Sequence, residues 1–247
     1  GYSRSVMNHM QFKAVFFDLD GTLLYTLPDI AAAVNHALHT KGIPPVAVED
    51  YKSKVGWGLE ETVRRALPQD LQAEAVKSGL LKELTAEMVR KYRESPYQRT
   101  IPYEGIPELL IELQKCGVPM SILSNKEHGL TNLIVNELFP EVEFLSVQGS
   151  SETVPPKPDQ TGIQLLLTEL KAKARIGDAM KMGPSEVLYV GDSGVDMDTA
   201  VQAGVYPIGV EWGYRPKEEL LQRGAKQVLN EPFELISLFP DLLLDRM

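Results

Sequence analysis

The sequence predicts an α/β fold in which a doubly wound parallel β-sheet carries an inserted group of α-helices. Two observations support this class. Beyond Pro102, short apolar segments alternate with segments of helix length, as in parallel sheets that helices cover on both faces. Residues 28–95 show helical periodicity and no convincing strand, which indicates a separate helical module.

The first elements of the chain support this division. An apolar run over residues 13–18 predicts the first strand. The apolar residues of "PDIAAAVNHALHTKG" then recur at helical spacing, and Gly42 is a suitable C-terminal stop for that helix. "LEETVRRAL" and residues 71–93 continue the helical pattern, so the first strand is followed by helices only.

The rest of the chain returns to the alternating pattern. The predicted helices are "IPELLIELQKCG", residues 127–138, residues 160–182 and "VDMDTAVQAG". The predicted strands are "VPMSILS", "EFLSVQG", "EVLYVGD" and "VYPIGVEWG". Because ligands of such sheets bind beyond the carboxyl ends of the strands, functional residues are expected where these strands end.

Length and composition limit the classes of protein that the chain can represent. The 247 residues give room for one large domain or two smaller ones. With 34 acidic and 25 basic residues, the net charge of -9 disfavours nucleic acid or an anionic membrane as the main partner.

The single cysteine, Cys116, excludes an internal disulfide. No apolar run approaches the roughly 20 residues that span a bilayer. Residues 1–11 lack the hydrophobic segment of a secretory signal and are expected to be disordered or partly a cloning remnant, so we expect a cytoplasmic location.

Acidic and other polar side chains follow the predicted strands. They are Asp18 and Asp20 after the first strand, Ser124 and Asn125 after the second, Lys157 in the loop "PPKPDQTG", and Asp192 and Asp196 after "VLYV". Two carboxylates side by side at the end of a buried strand are costly unless a cation or a reaction requires them. Magnesium commonly takes one or two carboxylates together with substrate phosphate, so the sequence predicts a magnesium site.

These residues, in this order, resemble the four motifs of the haloacid dehalogenase superfamily of aspartyl phosphohydrolases. "DLDGTL" is similar to the first motif, Ser124 to the second, Lys157 to the third and "GDSGVD" to the fourth. The resemblance extends from Phe12 onward and implies a Rossmann-like core. The helices between the first two motifs resemble the α-helical cap of one branch, and "GVEWGYRPKEELLQRGA" resembles its phosphoglycolate phosphatase group.

The resemblance implies a role for each catalytic residue. Asp18 is expected to be the nucleophile that forms an aspartyl-phosphate. Asp20 is expected to protonate the leaving group and then to activate water. Ser124 and Lys157 are expected to stabilise the phosphoryl group in the transition state.

The resemblance also implies residues for metal and substrate binding. The expected metal residues are Asp18, Asp20 through its backbone carbonyl, Asp192 and Asp196, with Asp196 holding a water of the metal or orienting Lys157. The expected substrate-binding residues are Gly21, Thr22, Asn125 and Trp57, the last in the glycine-flanked loop of the cap. Arg64 or Arg65 is a candidate contact for a substrate carboxylate, although an ordinary solvated arginine is the more common role.

The predicted domains follow the motifs. Residues 12–27 and 97–247 form the catalytic core, and residues 28–96 form the α-helical cap, called the helical insertion below. Hinges are expected near Thr26–Pro28 and Ser95–Pro102. A surplus of residues around 171–183, relative to the family, has no functional explanation.

The expected activity is that of a magnesium-dependent phosphatase acting on a small phosphorylated metabolite, phosphoglycolate-like or a sugar phosphate, as a monomer or homodimer. Two alternatives stay open: a phosphomutase of the β-phosphoglucomutase type, and a receiver-like phospho-switch of a different class. Dehalogenation is disfavoured because it does not need Asp20. Phosphonoacetaldehyde hydrolysis would need Lys52 or Lys54 as a Schiff-base partner.

Overall fold

The structure, a computed structural model, describes residues 12–173 and 182–239. Its strands are β1 (Ala14–Phe17), β2 (Leu24–Tyr25), β3 (Ile101–Pro102), β4 (Met120–Glu127), β5 (Ser146–Ser150), β6 (Val187–Gly191), β7 (Tyr206–Val210) and β8 (Gln227–Leu229). Six of them form one sheet in the order β5-β4-β1-β6-β7-β8. Every neighbouring pair in this sheet is parallel, which confirms the predicted fold class.

Helices cover the sheet and build the helical insertion. They are α1 (Leu27–His39), α2 (Leu59–Ala66), α3 (Gln69–Ser78), α4 (Leu80–Glu94), α5 (Ile106–Lys115), α6 (His128–Leu138), α7 (Thr161–Lys173), α8 (Gly194–Ala203) and α9 (Lys217–Gln222). Between β2 and β3 the chain is helical apart from loops, as the sequence predicts. Within the described residues, no helix has the length and apolar character needed to cross a membrane.

Strand β1 is buried on both faces, as expected of a central strand in a covered parallel sheet. Successive side chains of a strand point to opposite faces. Val15 and Phe17 accordingly belong to the larger apolar core, and Ala14 and Phe16 belong to the smaller one. This double burial explains why the segment reads as a continuous apolar run instead of an alternating one.

The order of the strands places a topological switch point between β1 and β6. From β1 the chain builds outward through β4 to β5 on one side, and from β6 through β7 to β8 on the other. A crevice opens at such a point beyond the carboxyl ends of the strands. Asp18 directly follows β1, and Asp192 directly follows β6, so both lie at this crevice.

A short antiparallel pair of strands forms the neck between the sheet and the helical insertion. Leu24 pairs with Pro102, and Tyr25 pairs with Ile101. Close by, the buried carboxylate of Asp29 accepts hydrogen bonds from the Arg99 backbone N–H (2.9 Å) and the Thr100 hydroxyl (2.7 Å). The two chain crossings where hinges are expected are therefore tied to each other by backbone and side-chain bonds.

The structure differs from the sequence-based assignment in several places. Strand β4 continues past Ser124 to Glu127, with an irregular register beyond Leu123. The neck strands, β8 and α9 were not predicted, because two- to six-residue elements carry too little periodicity. Part of the predicted helix 160–182 and most of the surplus segment 171–183 lie outside the described residues.

Candidate active site

Lys157 is the centre of a buried polar network beside β1. Its ammonium donates hydrogen bonds to Asp18 Oδ1 (3.1 Å), Asp196 Oδ1 (2.7 Å), the Tyr189 hydroxyl (2.7 Å) and the Leu123 carbonyl (3.0 Å). Burial opposes the charge, but the two carboxylates outweigh it and hold the pKa of Lys157 above its usual range. The lysine is therefore a fixed cation that touches the expected nucleophile.

The carboxylate of Asp196 is fully engaged in hydrogen bonds. One oxygen accepts from Lys157 and from the Tyr189 hydroxyl (3.1 Å). The other accepts from the Asp192 N–H (3.1 Å), the Ser193 N–H (3.2 Å) and the Ser193 hydroxyl (3.0 Å). Burial alone would raise the pKa of Asp196, but Lys157 and these bonds lower it. This saturation favours the orienting role over direct metal ligation.

Asp192 is held in place by the turn that follows β1 and by the turn that follows β7. Its oxygens accept from the Thr22 hydroxyl (3.1 Å) and from the Tyr214 backbone N–H (3.0 Å). Gly21 has φ +83°, and a Cβ built on it would lie 2.2 Å from Asp192 Oδ2. Only glycine fits there, because both the backbone conformation and the space exclude a side chain.

Three carboxylates meet in this buried crevice. Oxygens of Asp18, Asp192 and Asp196 lie within 4.8 Å of one another. Burial and the neighbouring Asp196 raise the pKa of Asp192 to about 6, and the same two causes raise the pKa of Asp18 despite Lys157. Oxygen donors that repel one another in this way fit a hard divalent cation.

Asp20 lies on the other side of the cleft, with its carboxylate outside this cluster. Its Oδ1 accepts a hydrogen bond from Lys126 (2.8 Å), whose ammonium also donates to the Tyr92 hydroxyl. Burial opposes the charge of Lys126, but Asp20 and Tyr92 raise its pKa above the usual range. Lys126 was missed in the sequence. Its place two residues beyond Ser124 in the sequence was the available signal.

Ser124 and Asn125 are buried between these two groups. The Ser124 hydroxyl accepts from the Lys126 backbone N–H (3.0 Å). The side-chain oxygen of Asn125 accepts from the backbone N–H of Lys157 (2.6 Å). Its side-chain nitrogen donates to the Gly56 carbonyl of the helical insertion (2.8 Å). Asn125 therefore connects the loop of Lys157 with the loop that covers the cleft.

Residues of the helical insertion cover the cleft at the carboxyl ends of the strands. The cavity next to Asp18 and Asp20 is about 30 Å³, which is room for one or two water molecules. Its other lining residues are Ile30, Val55, Gly56, Gly58, Leu59, Thr62, Asn125 and Lys126. The insertion therefore leaves little free space beside the two aspartates, and its movement about the expected hinges stays a prediction.

The indole of Trp57 makes cation–π contacts with two arginines. The guanidinium carbon of Arg65 is 3.6 Å from the centre of the indole, and that of Arg215 is 4.7 Å from it. Arg64 and Arg65 both donate to Glu61, each with an Nε–oxygen distance of 2.9 Å. Both arginines are thus engaged within their own helix, and a contact of Trp57 or of either arginine with substrate stays a prediction.

Arg215 is a functional candidate that the sequence did not reveal. It follows Tyr214 in "WGYR", on the sheet side of the cleft, and it is buried. Its guanidinium donates to the Lys52 carbonyl, in a very short bond, and to the Val55 carbonyl (2.5 Å). It therefore fastens the covering loop of the helical insertion to the sheet.

Comparison with known proteins identifies the class to which this fold and site belong. The haloacid dehalogenase-like hydrolase family matches residues 15–210. The chain belongs to this family and is an enzyme of its phosphatase kind.

Individual relatives agree with this assignment. A phosphoglycolate phosphatase from Chromobacterium violaceum is 33% identical over 94% of this chain and 98% of its own length. An N-acetylmuramic acid 6-phosphate phosphatase from Pseudomonas aeruginosa is 29% identical over 97% of this chain and 100% of its own. A crystal structure from Lactobacillus delbrueckii subsp. bulgaricus, provisionally named a phosphoglycolate phosphatase, superimposes with a TM-score of 0.79. It is 26% identical and covers 92% of this chain and 97% of its own.

Proposed function

We propose that this protein is a magnesium-dependent phosphatase that hydrolyses a small phosphorylated metabolite through an aspartyl-phosphate on Asp18. The observation that carries the proposal is the arrangement around Asp18. Its carboxylate contacts the ammonium of Lys157 and shares a buried crevice with Asp192. A carboxylate among fixed charges at a switch point is suited to attack phosphorus.

The crevice contains the donors that a magnesium ion requires. The carboxylates of Asp18 and Asp192, with the backbone carbonyl of Asp20, would hold the ion. When bound, it supplies positive charge that screens the nucleophile from the phosphate dianion. Burial and the neighbouring Asp196 raise the pKa of Asp192, and a divalent cation would favour its charged form.

The residues of the chain divide the first half-reaction among them. An oxygen of Asp18 forms a bond to phosphorus while the bond from phosphorus to the ester oxygen breaks. The proton for the departing oxygen comes from Asp20. Lys157 and the Ser124 hydroxyl stabilise charge on the phosphoryl oxygens.

The second half-reaction restores the enzyme. Asp20, now a carboxylate, removes a proton from water as the water oxygen bonds to phosphorus. The Asp18–phosphorus bond breaks, and inorganic phosphate and a protonated Asp20 result. Lys157 stabilises the carboxylate of Asp18 as it departs.

Two relatives are named for the esters phosphoglycolate and N-acetylmuramic acid 6-phosphate, and both of these esters carry a carboxylate. We propose that the substrate is a small phosphate ester that binds between the helical insertion and the sheet. We also propose that the reaction takes place in the cytoplasm. Phosphate release should be measured with 2-phosphoglycolate, N-acetylmuramic acid 6-phosphate and N-acetylglucosamine 6-phosphate. The last two differ only in the lactyl ether, so their ratio reports on carboxylate recognition.

The test of the function is run with magnesium and with EDTA, beside Asp18→Asn. We expect release that requires magnesium and disappears in the variant. A phosphorylated intermediate should be trapped by rapid acid quench and mapped to Asp18. A folded protein that releases no phosphate from any ester but isomerises a hexose phosphate would instead be a mutase. A phospho-aspartate that persists for hours would indicate a phospho-switch.

A further inference from the structure

Lys126 is a second buried lysine in the cleft, and the mechanism described above does not use it. Its side chain is 1% exposed. A buried ammonium is retained only where partners compensate its desolvation. Lys157 already supplies a cation at Asp18, so the charge of Lys126 acts on the side of the cleft that contains Asp20.

The partners of Lys126 come from two parts of the chain. Asp20 follows β1 of the sheet and accepts a hydrogen bond at 2.8 Å. Tyr92 belongs to α4 of the helical insertion and is buried. The ammonium donates to the Tyr92 hydroxyl and lies 4.7 Å from the centre of its ring, a distance at which the ring also attracts a cation. The lysine therefore joins the insertion to the expected acid/base.

We propose that Lys126 is a positioning residue for the carboxyl group of Asp20, and that Tyr92 makes this positioning depend on the helical insertion lying against the sheet. The proposal rests on the proposed function, in which Asp20 transfers protons. Within the described part of the chain, Lys126 provides the side-chain hydrogen bond to Asp20. The bond from Lys126 occupies Oδ1, so Oδ2 is the oxygen of Asp20 that is left for proton transfer.

Movement of the insertion affects the two lysines differently. Lys157 is held by Leu123, Tyr189, Asp18 and Asp196, none of which belongs to the insertion. Lys126 loses the hydroxyl and the ring of Tyr92 when the insertion moves away, and its ammonium becomes available to water. Asp20 then lacks a fixed anchor, so proton transfer is efficient only in the closed cleft.

The experiment separates proton donation from general stability by the choice of leaving group. An alkyl phosphate needs its leaving oxygen protonated, whereas 4-nitrophenyl phosphate does not, because nitrophenolate is a stable anion. We compare wild type, Lys126→Met and Tyr92→Phe in single-turnover and steady-state assays with both esters. Arg90→Met, an exposed residue of α4 that pairs with Glu87 and Glu94, is the matched control.

In Lys126→Met, we expect single-turnover cleavage of the alkyl ester to slow by about 100-fold, the lower range for general acid catalysis. Release of the first equivalent of nitrophenolate should stay within about threefold of wild type. Steady-state release should then be slow, because Asp20 is also the base for hydrolysis of the intermediate. The result is a burst of one equivalent, which a merely structural defect does not produce. Tyr92→Phe keeps the ring and should show the same pattern, weakened to about tenfold or less.

Equal losses with both esters in a folded Lys126→Met protein, or no loss with either, would overturn the proposal. A Tyr92→Phe variant identical to Arg90→Met would overturn the part that concerns the insertion. If the wild type itself cleaves neither ester, the proposed function fails, and that result is distinct from a failure of Lys126. Thermal unfolding and circular dichroism of each variant confirm that folded proteins are compared.

Discussion

The two aspartates of the "DLD" segment are served by two buried lysines, but the surroundings of these lysines differ. Lys157 lies among residues of the sheet and its loops, where a carbonyl, a tyrosine and two carboxylates use its charge. Lys126 lies at the boundary with the helical insertion, and one of its two hydrogen-bond partners belongs to that insertion. The partners of the Lys157 ammonium thus all come from the sheet and its loops.

The contacts of Lys157 fix the sheet side of the cleft, and the expected hinges predict that the insertion side moves. A nucleophile and metal site gain from rigid elements, because small displacements are expensive in catalysis. Substrate must nevertheless enter a cavity of about 30 Å³. Polar contacts between the insertion and the sheet at the cleft include those of Arg215, Asn125 and Lys126.

The largest expected effect is the loss of the nucleophile. Asp18→Asn should lower kcat by at least about 1,000-fold, because an amide cannot form the acyl phosphate. The variant should also be more stable than wild type without magnesium, since one of three crowded carboxylates becomes neutral. Phosphate release and thermal unfolding measure the two effects. Asp198→Asn, which loses only a pair with Arg223, is the matched control and should keep its activity.

Replacing each lysine in turn tests the contrast between the two sides of the cleft, because it changes the free energy of unfolding. Lys157→Met should lower the free energy of unfolding by about 3–5 kcal/mol, because two buried carboxylates lose their cation. Lys126→Met should cost only about 1–2 kcal/mol, because the Asp20 side chain is 15% exposed and water can replace the lysine. Urea unfolding at pH 7 measures both. Equal losses of unfolding free energy in the two variants would contradict the proposed difference between the two sides of the cleft.

Removal of the fastening at Arg215 should affect binding more than chemistry. Arg215→Met takes away the bonds to the Lys52 and Val55 carbonyls, so the covering loop must be ordered by the substrate. We expect KM to rise about tenfold, or 1.4 kcal/mol, with kcat changed less than threefold. Steady-state kinetics measure this split. Arg223→Met is a control from the same region, and a dominant loss of kcat would place Arg215 in the chemistry.

The smallest effect concerns the dependence of magnesium affinity on pH. Burial and Asp196 raise the pKa of Asp192 from its ordinary value of 3.8 to about 6. A raised carboxyl pKa stabilises the metal-free fold below pH 3.8, and that contribution is lost as pH rises through about 6. Magnesium must displace the proton, so affinity should rise by about tenfold between pH 5 and pH 7 and level off above that range. Calorimetry across this range measures it, and an affinity that is constant between pH 5 and pH 7 would contradict the assignment.

The sequence alone determined the class of fold and the main residues of the site. Asp18 and Asp192 could be found because strand periodicity marks where buried strands end, and parallel strands end at one edge. Ser124 was found at the expected end of the second strand, although β4 continues to Glu127. The match of family and fold confirms the predicted family and fold class, and the roles of the site residues stay predictions. The position of Lys157 in the series of motifs was sufficient to find it, although it lies in a loop.

Only the tertiary structure decided what surrounds these residues. Lys126 meets Tyr92 across 34 positions of sequence, and Arg215 meets Lys52 across 163. Such pairs have no periodicity, because they arise where two separately folded surfaces come together. The saturation of Asp196 and the closure of the cleft also depend on distances of a few tenths of an ångström. Local pattern thus specifies which groups reach the crevice, whereas packing decides which of them are paired and which stay available for the reaction.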